Sequence, residues 1–200
     1  MDFRLFELLN GSLRGHGDLA QAVVDFSSWS VTLVAAATIG LWLLARPYGP
    51  PRWKLAATAA LASAGLGLLV NQVIGRTWFR ERPFAAHPAT TLLLAHRSRD
   101  PSFPSDHATA AFAIAFAVLV FSLRAGLGFL LAAGLIGVSR VLVGLHYPGD
   151  VLAGAAIGLA GAAVVTTVGR PWIEHAVRLL SRVTDPALAA VERRLPRPRR

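Results

Sequence analysis

The sequence has no cysteine. That excludes disulfides, thiolate-bound zinc and a cysteine nucleophile, so any covalent chemistry must use another side chain. Charge is scarce as well: 16% of the 200 residues are charged and 54% are hydrophobic, a balance that soluble domains seldom show. No internal repeat stands out and the chain does not divide into two inverted halves, which counts against a transporter. A cleaved signal peptide is not expected either, because Asp2, Arg4 and Glu7 interrupt a short first apolar stretch.

What is present is a set of separate apolar runs, each about as long as a helix needs to cross the hydrocarbon layer. The runs predict spans over about 29–45, 55–74, 107–123, 127–145 and 150–168. Between them, Arg46, Pro47, Pro50 and Pro51 mark a basic loop, Arg124 to Gly126 a short turn, and Tyr147-Pro148-Gly149 a helix break. Ser105 or Asp106 is placed to cap the third span, and Asp150 the fifth. Residues 2–26 are too charged to be a plain span and predict an interfacial or re-entrant helix that leads into the first crossing. The expected fold is an all-α polytopic bundle of five or six spans with interfacial helices. It forms one membrane-embedded domain over 1–170, with a motif-bearing core at about 71–159. The tail, 171–200, alternates Trp172, Ile173 and Val177 with Arg178 and Arg182, which predicts an amphipathic basic helix with a disordered Arg/Pro tip.

The formal charge of +9 raises the question of nucleic acid. Twelve of the twenty basic residues, however, fall in 46–54, at 124 and in 170–200, all on one side of a five-span topology. On a membrane protein this is an orientation signal, and it puts the tail in the cytoplasm. Membrane lipids are the expected surroundings; no nucleic acid is expected.

The residues able to do chemistry lie on the other side. The connection 75–106 is too long for a simple turn and holds Arg76, Arg80, Arg82, His87, His96, Arg97 and Arg99. Pro104-Ser105-Asp106-His107 opens the third span, where free backbone N–H groups suit phosphate oxygens; a cap with an anchoring histidine is the plainer reading. Arg140 sits near the end of an apolar span, where an arginine costs about 2.5 to 3.5 kcal/mol unless it faces a polar cavity or snorkels to the surface. His146 and Asp150 bracket the Tyr-Pro-Gly break. A carboxylate that takes the Nδ1 proton would leave Nε2 as a lone-pair donor, although a structural His–Asp pair would look the same in sequence. Guanidinium groups such as Arg82 grip phosphate in a fork and stay charged.

Arg82-Pro83, then Pro104-Ser105-Asp106-His107, then Ser139-Arg140 with His146 and Asp150, in that order, resemble the three-part signature of the type 2 phosphatidic acid phosphatase superfamily, which includes the vanadium haloperoxidases. The resemblance covers about 71–159. It implies that His146 attacks phosphorus to give a phosphohistidine, that Asp150 orients His146, and that His107 protonates the leaving oxygen. It further implies that Arg82, Arg140, Ser105, Asp106 and Arg76 bind the substrate phosphate, with no metal and no cofactor. The family's first motif usually begins with a lysine seven residues before its arginine. Here that place is Gly75, with Arg76 as the neighbouring cation. Arg-Pro-Phe followed by Phe-Pro-Ser-Asp-His is most similar to the bacterial undecaprenyl-diphosphatases of the bacitracin-resistance type, which regenerate undecaprenyl phosphate for the cell wall on the outer face of the inner membrane. A lipid pyrophosphate is then the implied substrate. Phosphatidate or phosphatidylglycerophosphate hydrolysis is the alternative within the family, and a non-enzymatic lipid-phosphate carrier the alternative outside it.

Overall fold

The computed structural model describes residues 1–194, and all of its regular structure is helical. The elements are α1 (Asp2–Gly11), α2 (Gly17–Leu43), α3 (Arg52–Thr77), α4 (Pro83–Ala86), α5 (Asp106–Phe121), α6 (Leu123–Leu142), α7 (Pro148–Thr167) and α8 (Arg170–Arg194). Four of them, α2, α3, α6 and α7, are long and apolar enough to cross a membrane. Their large apolar side chains point outward: Leu127, Leu131 and Leu135 of α6, each four residues from the next, are all more than half exposed. In water such a stripe would be a liability, and in lipid it is the expected outer face. The protein is an integral membrane protein.

α5 runs through the middle. Its 16 residues span about 24 Å, less than a typical hydrocarbon layer of about 30 Å. It is instead enclosed by α3, α6 and α7, with Ala108, Ala111, Ala113, Ala115 and Ala117 almost wholly buried. Small residues let the neighbouring backbones close in. At Gly158 of α7, a Cβ would lie 2.7 Å from the Ala113 nitrogen of α5, so α7 can sit this close only as glycine.

Several boundaries differ from expectation. The first crossing begins at Gly17 rather than near residue 29, because Asp18, Gln21 and Asp25 lie on a helix that the apolar run did not reveal. α1 is not a free interfacial helix. Phe6 is fully buried, with its ring centre 5.6 Å from that of Tyr147, and α1 lies across the ends of α6 and α7. Arg124 to Gly126 is the first turn of α6, whose cap is Ser122, and the break between α5 and α6 is Ser122 alone. Asp150 is the third residue of α7 and caps it from there, its carboxylate accepting from the Tyr147 amide at 2.9 Å. Gly144, at φ +85°, ends the α6 segment in the left-handed region that glycine favours, and a Cβ there would meet the Leu92 carbonyl at 2.6 Å. The tail forms α8 as expected but is tied to the bundle as well: Asp185 forms a buried ion pair with Lys54 of α3 and accepts from the Tyr48 amide at 3.1 Å. The expected disordered tip, 195–200, lies outside the described residues.

With α2, α3, α5, α6 and α7 alternating in direction, the start of α5, the end of α6 and the start of α7 meet at one end of the bundle. α1 and the 78–105 connection cover that same end, while α8 occupies the opposite one.

Candidate active site

At the covered end lies a cavity of about 430 Å³. Arg82, Arg140, His107 and His146 all line it, as do the exposed Arg76, His96 and Asp106. Segments that are far apart in sequence thus bring three imidazoles and three guanidinium groups to one space.

His146, 3% exposed, follows the Gly144 turn. Its Nδ1 lies 2.8 Å from the Ser102 carbonyl oxygen, and its Nε2 lies 3.2 Å from Arg82 Nη1. A carbonyl oxygen can only accept and a guanidinium can only donate. The ring therefore carries its proton on Nδ1 and keeps a lone pair on Nε2. Burial, followed by the Arg82 charge, pushes the imidazole below its ordinary pKa against the pull of Asp150, so the neutral form is favoured.

Asp150 does not hold His146 directly. Its Oδ2 is 3.7 Å from His146 Nδ1, beyond hydrogen-bond range. Oδ1 accepts from Arg80 Nη1 at 2.6 Å; Oδ2 accepts from the Ser102 hydroxyl at 2.6 Å and the Tyr147 amide at 2.9 Å. The fully buried carboxylate fixes Ser102, and the carbonyl of Ser102 orients the imidazole. This corrects the expected Asp150 to His146 hydrogen bond; the carboxylate is spent on stronger donors.

Arg82 is held by the Asp100 carbonyl (2.9 Å, from Nε) and the Leu145 carbonyl (3.2 Å, from Nη1). Arg140, 8% exposed, donates from Nη1 to the Ser27 hydroxyl at 2.8 Å, while its buried Nε has no partner among the described residues. A buried, unpaired donor of this kind costs about 1–3 kcal/mol, and an anion in the cavity can relieve it. Arg80 does not line the cavity. It bridges Asp150 and Asp2 and stacks on Tyr147 with Cζ 4.0 Å from the ring centre. Burial alone would lower its pKa, but the two carboxylates outweigh burial and raise it.

Three expected phosphate ligands stand differently. Ser105 is fully buried and outside the cavity lining; its hydroxyl caps α5 by accepting from the Ala108 amide. Asp106 does line the cavity, but its carboxylate accepts from Asn71 Nδ2 at 2.7 Å and ties α3 to α5, and a carboxylate repels phosphate rather than binding it. Arg76 lines the cavity, as does its neighbour Gly75. His96 is at the cavity, whereas His87 stacks on Phe3 with ring centres 3.8 Å apart. Ser102 and Ser27 are functional partners that sequence reading missed. Ser27 had one faint signal, the polar Ser27-Ser28 and Ser30 within an apolar helix; Ser102 acts through its backbone and had none.

Cationic, partly buried and carrying an imidazole with a free lone pair, the cavity defines a phosphoryl-transfer site built into a membrane helix bundle. The chain belongs to the PAP2 superfamily, whose family model matches residues 53–173, and is a membrane phosphatase of that family. It is 28% identical to undecaprenyl-diphosphatase BcrC of Bacillus subtilis over 92% of this chain and 94% of that one. It is 30% identical to the decaprenylphosphoryl-5-phosphoribose phosphatase of Mycobacterium tuberculosis over 75% of this chain and 78% of the relative. Among solved structures, Aquifex aeolicus LpxE superposes with a TM-score of 0.68 at 24% identity, covering 82% of this chain and 93% of that one, which supports the fold.

Proposed function

We propose that this phosphatase hydrolyses a lipid pyrophosphate, undecaprenyl pyrophosphate, to the lipid monophosphate and inorganic phosphate. The observation that carries the chemistry is the His146 ring, pinned by the Ser102 carbonyl so that its Nε2 lone pair meets Arg82 in the cavity. Nε2 attacks the terminal phosphorus, the bond to the bridging oxygen breaks, and His107, which takes up a proton with the bound pyrophosphate anion, gives it to the departing lipid phosphate. Water then attacks the phosphohistidine; His107 takes one water proton, and phosphate leaves as the imidazole is restored. Arg82 and Arg140 bind the equatorial oxygens, with Arg76 also lining the cavity, so the charge stabilisation that phosphoryl transfer demands comes from guanidinium groups. Ser102 and Asp150 position the nucleophile.

The substrate assignment is favoured by the near full-length similarity to BcrC. Hydrolysis of a lipid phosphate monoester is the second reading, and the similarity to the decaprenylphosphoryl-5-phosphoribose phosphatase favours it. We place the cavity on the periplasmic or extracellular side and α8 in the cytoplasm, since the face bearing α8 holds the larger share of Lys and Arg. Residues 1–170 then form the phosphatase unit and 171–200 a cytoplasmic appendage.

The test is phosphate release by purified protein from undecaprenyl pyrophosphate, phosphatidate and phosphatidylglycerophosphate, with and without EDTA. The pyrophosphate is expected to be turned over fastest, EDTA to have no effect, and His146→Ala to lose at least about 10³-fold while remaining folded. Wild-type turnover of a monoester alone would overturn the substrate assignment. Lipid-phosphate binding without phosphate release by the wild type, unchanged in His146→Ala, would make the protein a carrier.

A further inference from the structure

We propose that α1 is a working part of the phosphatase site and that Asp2 is a positioning residue, acting on Asp150 and His146 through Arg80 and the start of α7. This rests on the functional reading above. It concerns a helix that precedes the matched region, 53–173.

Both oxygens of Asp2 are engaged. Oδ2 accepts from Arg80 Nη2 at 2.7 Å and Oδ1 from the Gly149 amide at 2.8 Å. Gly149 admits the carboxylate because it lacks a Cβ, which would lie 2.9 Å from Asp2 Oδ2. Arg80 passes the constraint on: its other nitrogen grips Asp150 at 2.6 Å, Asp150 holds the Ser102 hydroxyl, and the Ser102 carbonyl holds His146 Nδ1. Gly149 supplies a second route, three residues from His146.

The other end of α1 is fastened just as firmly. Asn10, 1% exposed, donates to the carbonyls of Leu92 (2.8 Å) and Leu142 (2.9 Å) and accepts from the Leu92 amide (2.8 Å). It joins the long connection that follows Arg82 to the end of the helix that carries Arg140. Between these two fastenings, Phe6 packs on Tyr147 and Val141. A helix used only to cover apolar surface would need Phe6 but not a carboxylate with both oxygens spent on the support of the reactive imidazole.

Asparagine at position 2 separates positioning from bulk. It has one acceptor and one donor, so its NH₂ must face either Arg80 or the Gly149 amide, both of which only donate. With full-length protein and the fastest lipid substrate, Asp2→Asn is expected to lower kcat about tenfold and leave KM within about twofold, with thermal stability close to wild type. The double variant Asp2→Asn/Arg80→Gln is expected to be no more than about twofold slower than Arg80→Gln alone, since both cut the same chain. If Asp2→Asn fails to fold, Gly149→Ala displaces the carboxylate while keeping both partners and is expected to give the same fall in kcat. Wild-type kcat per folded molecule in whichever of these variants folds, or Asp2 and Arg80 effects that multiply in full, overturns the proposal. No turnover of any lipid phosphate by the wild-type protein overturns the functional reading and this one with it.

Discussion

Ser102 serves the site twice, its hydroxyl bound by Asp150 and its carbonyl bound to His146. The two jobs can be separated. Ser102→Ala removes only the hydroxyl and leaves one buried acceptor short, a loss of about 1–3 kcal/mol. Thermal melts should fall by a few degrees, and kcat by about tenfold at unchanged KM. Asp150→Asn turns an NH₂ toward either Arg80 or the Ser102 and Tyr147 donors and removes the buried charge that Arg80 pairs with, which costs about 3–5 kcal/mol. It should lose both fold stability and phosphate release; an Asp150→Asn enzyme with wild-type melting would refute the geometry. The imidazole also sets a pH dependence. Burial, with Arg82 adding, holds His146 below its ordinary pKa of about 6.5. The unfolded chain therefore binds the proton first, and the stability that His146 contributes is complete above about 6.5 and declines as pH falls toward the folded value. Parallel pH series of kcat/KM and melting should show the acid limb of activity below 6.5; a limb above it would contradict a buried neutral nucleophile. His146, His107, Arg82 and Arg140 were legible in the sequence because charged or titratable side chains at the ends of apolar runs need a reason. The Ser102 carbonyl was not, since every residue has one, and the diversion of Asp150 to Arg80 depends on a tertiary approach across 70 positions.

At the scale of elements, α5 and α7 matter most, because His107 is the second residue of one and the other begins just after His146. Their contact rests on Gly158. On an exposed helix, Gly→Ala gains about 1 kcal/mol of propensity. Here the new methyl group meets backbone at 2.7 Å, so Gly158→Ala should lower both the melting temperature and kcat as the two helices are forced apart. Gly128→Ala on α6 is the control: its Cβ meets nothing within 4 Å, and melting should hold or rise. Equal behaviour of the two would remove the close approach as a cause. The four long apolar helices could be read from apolar runs because lipid selects for them directly, whereas the run over α5 reads as a further span although its helix is shorter than the hydrocarbon layer. Helix ends escaped where polar residues sit on a helix, as in the first turns of α2, and where a single serine, Ser122, replaces the expected loop.

For the whole molecule, the side of the membrane is the open quantity. A green fluorescent reporter fused after residue 200 should fluoresce in the cytoplasm, while a periplasmic alkaline phosphatase reporter at the same place should stay inactive. The opposite pair of results would invert the arrangement and put the cavity inside the cell. α8 is tied to α3 by the buried Lys54–Asp185 pair at the end of the bundle remote from the cavity, so such an attachment is expected to leave phosphate release unchanged.

The start of the chain offers no such latitude. Met1 is fully exposed, yet the next residue grips Arg80 and Gly149. An affinity tag or reporter joined there would lengthen α1 at the residue through which it meets the catalytic apparatus. Purification handles, immobilisation chemistry and display fusions therefore belong beyond α8, and a dead enzyme obtained with an amino-terminal handle would say more about the handle than about the protein.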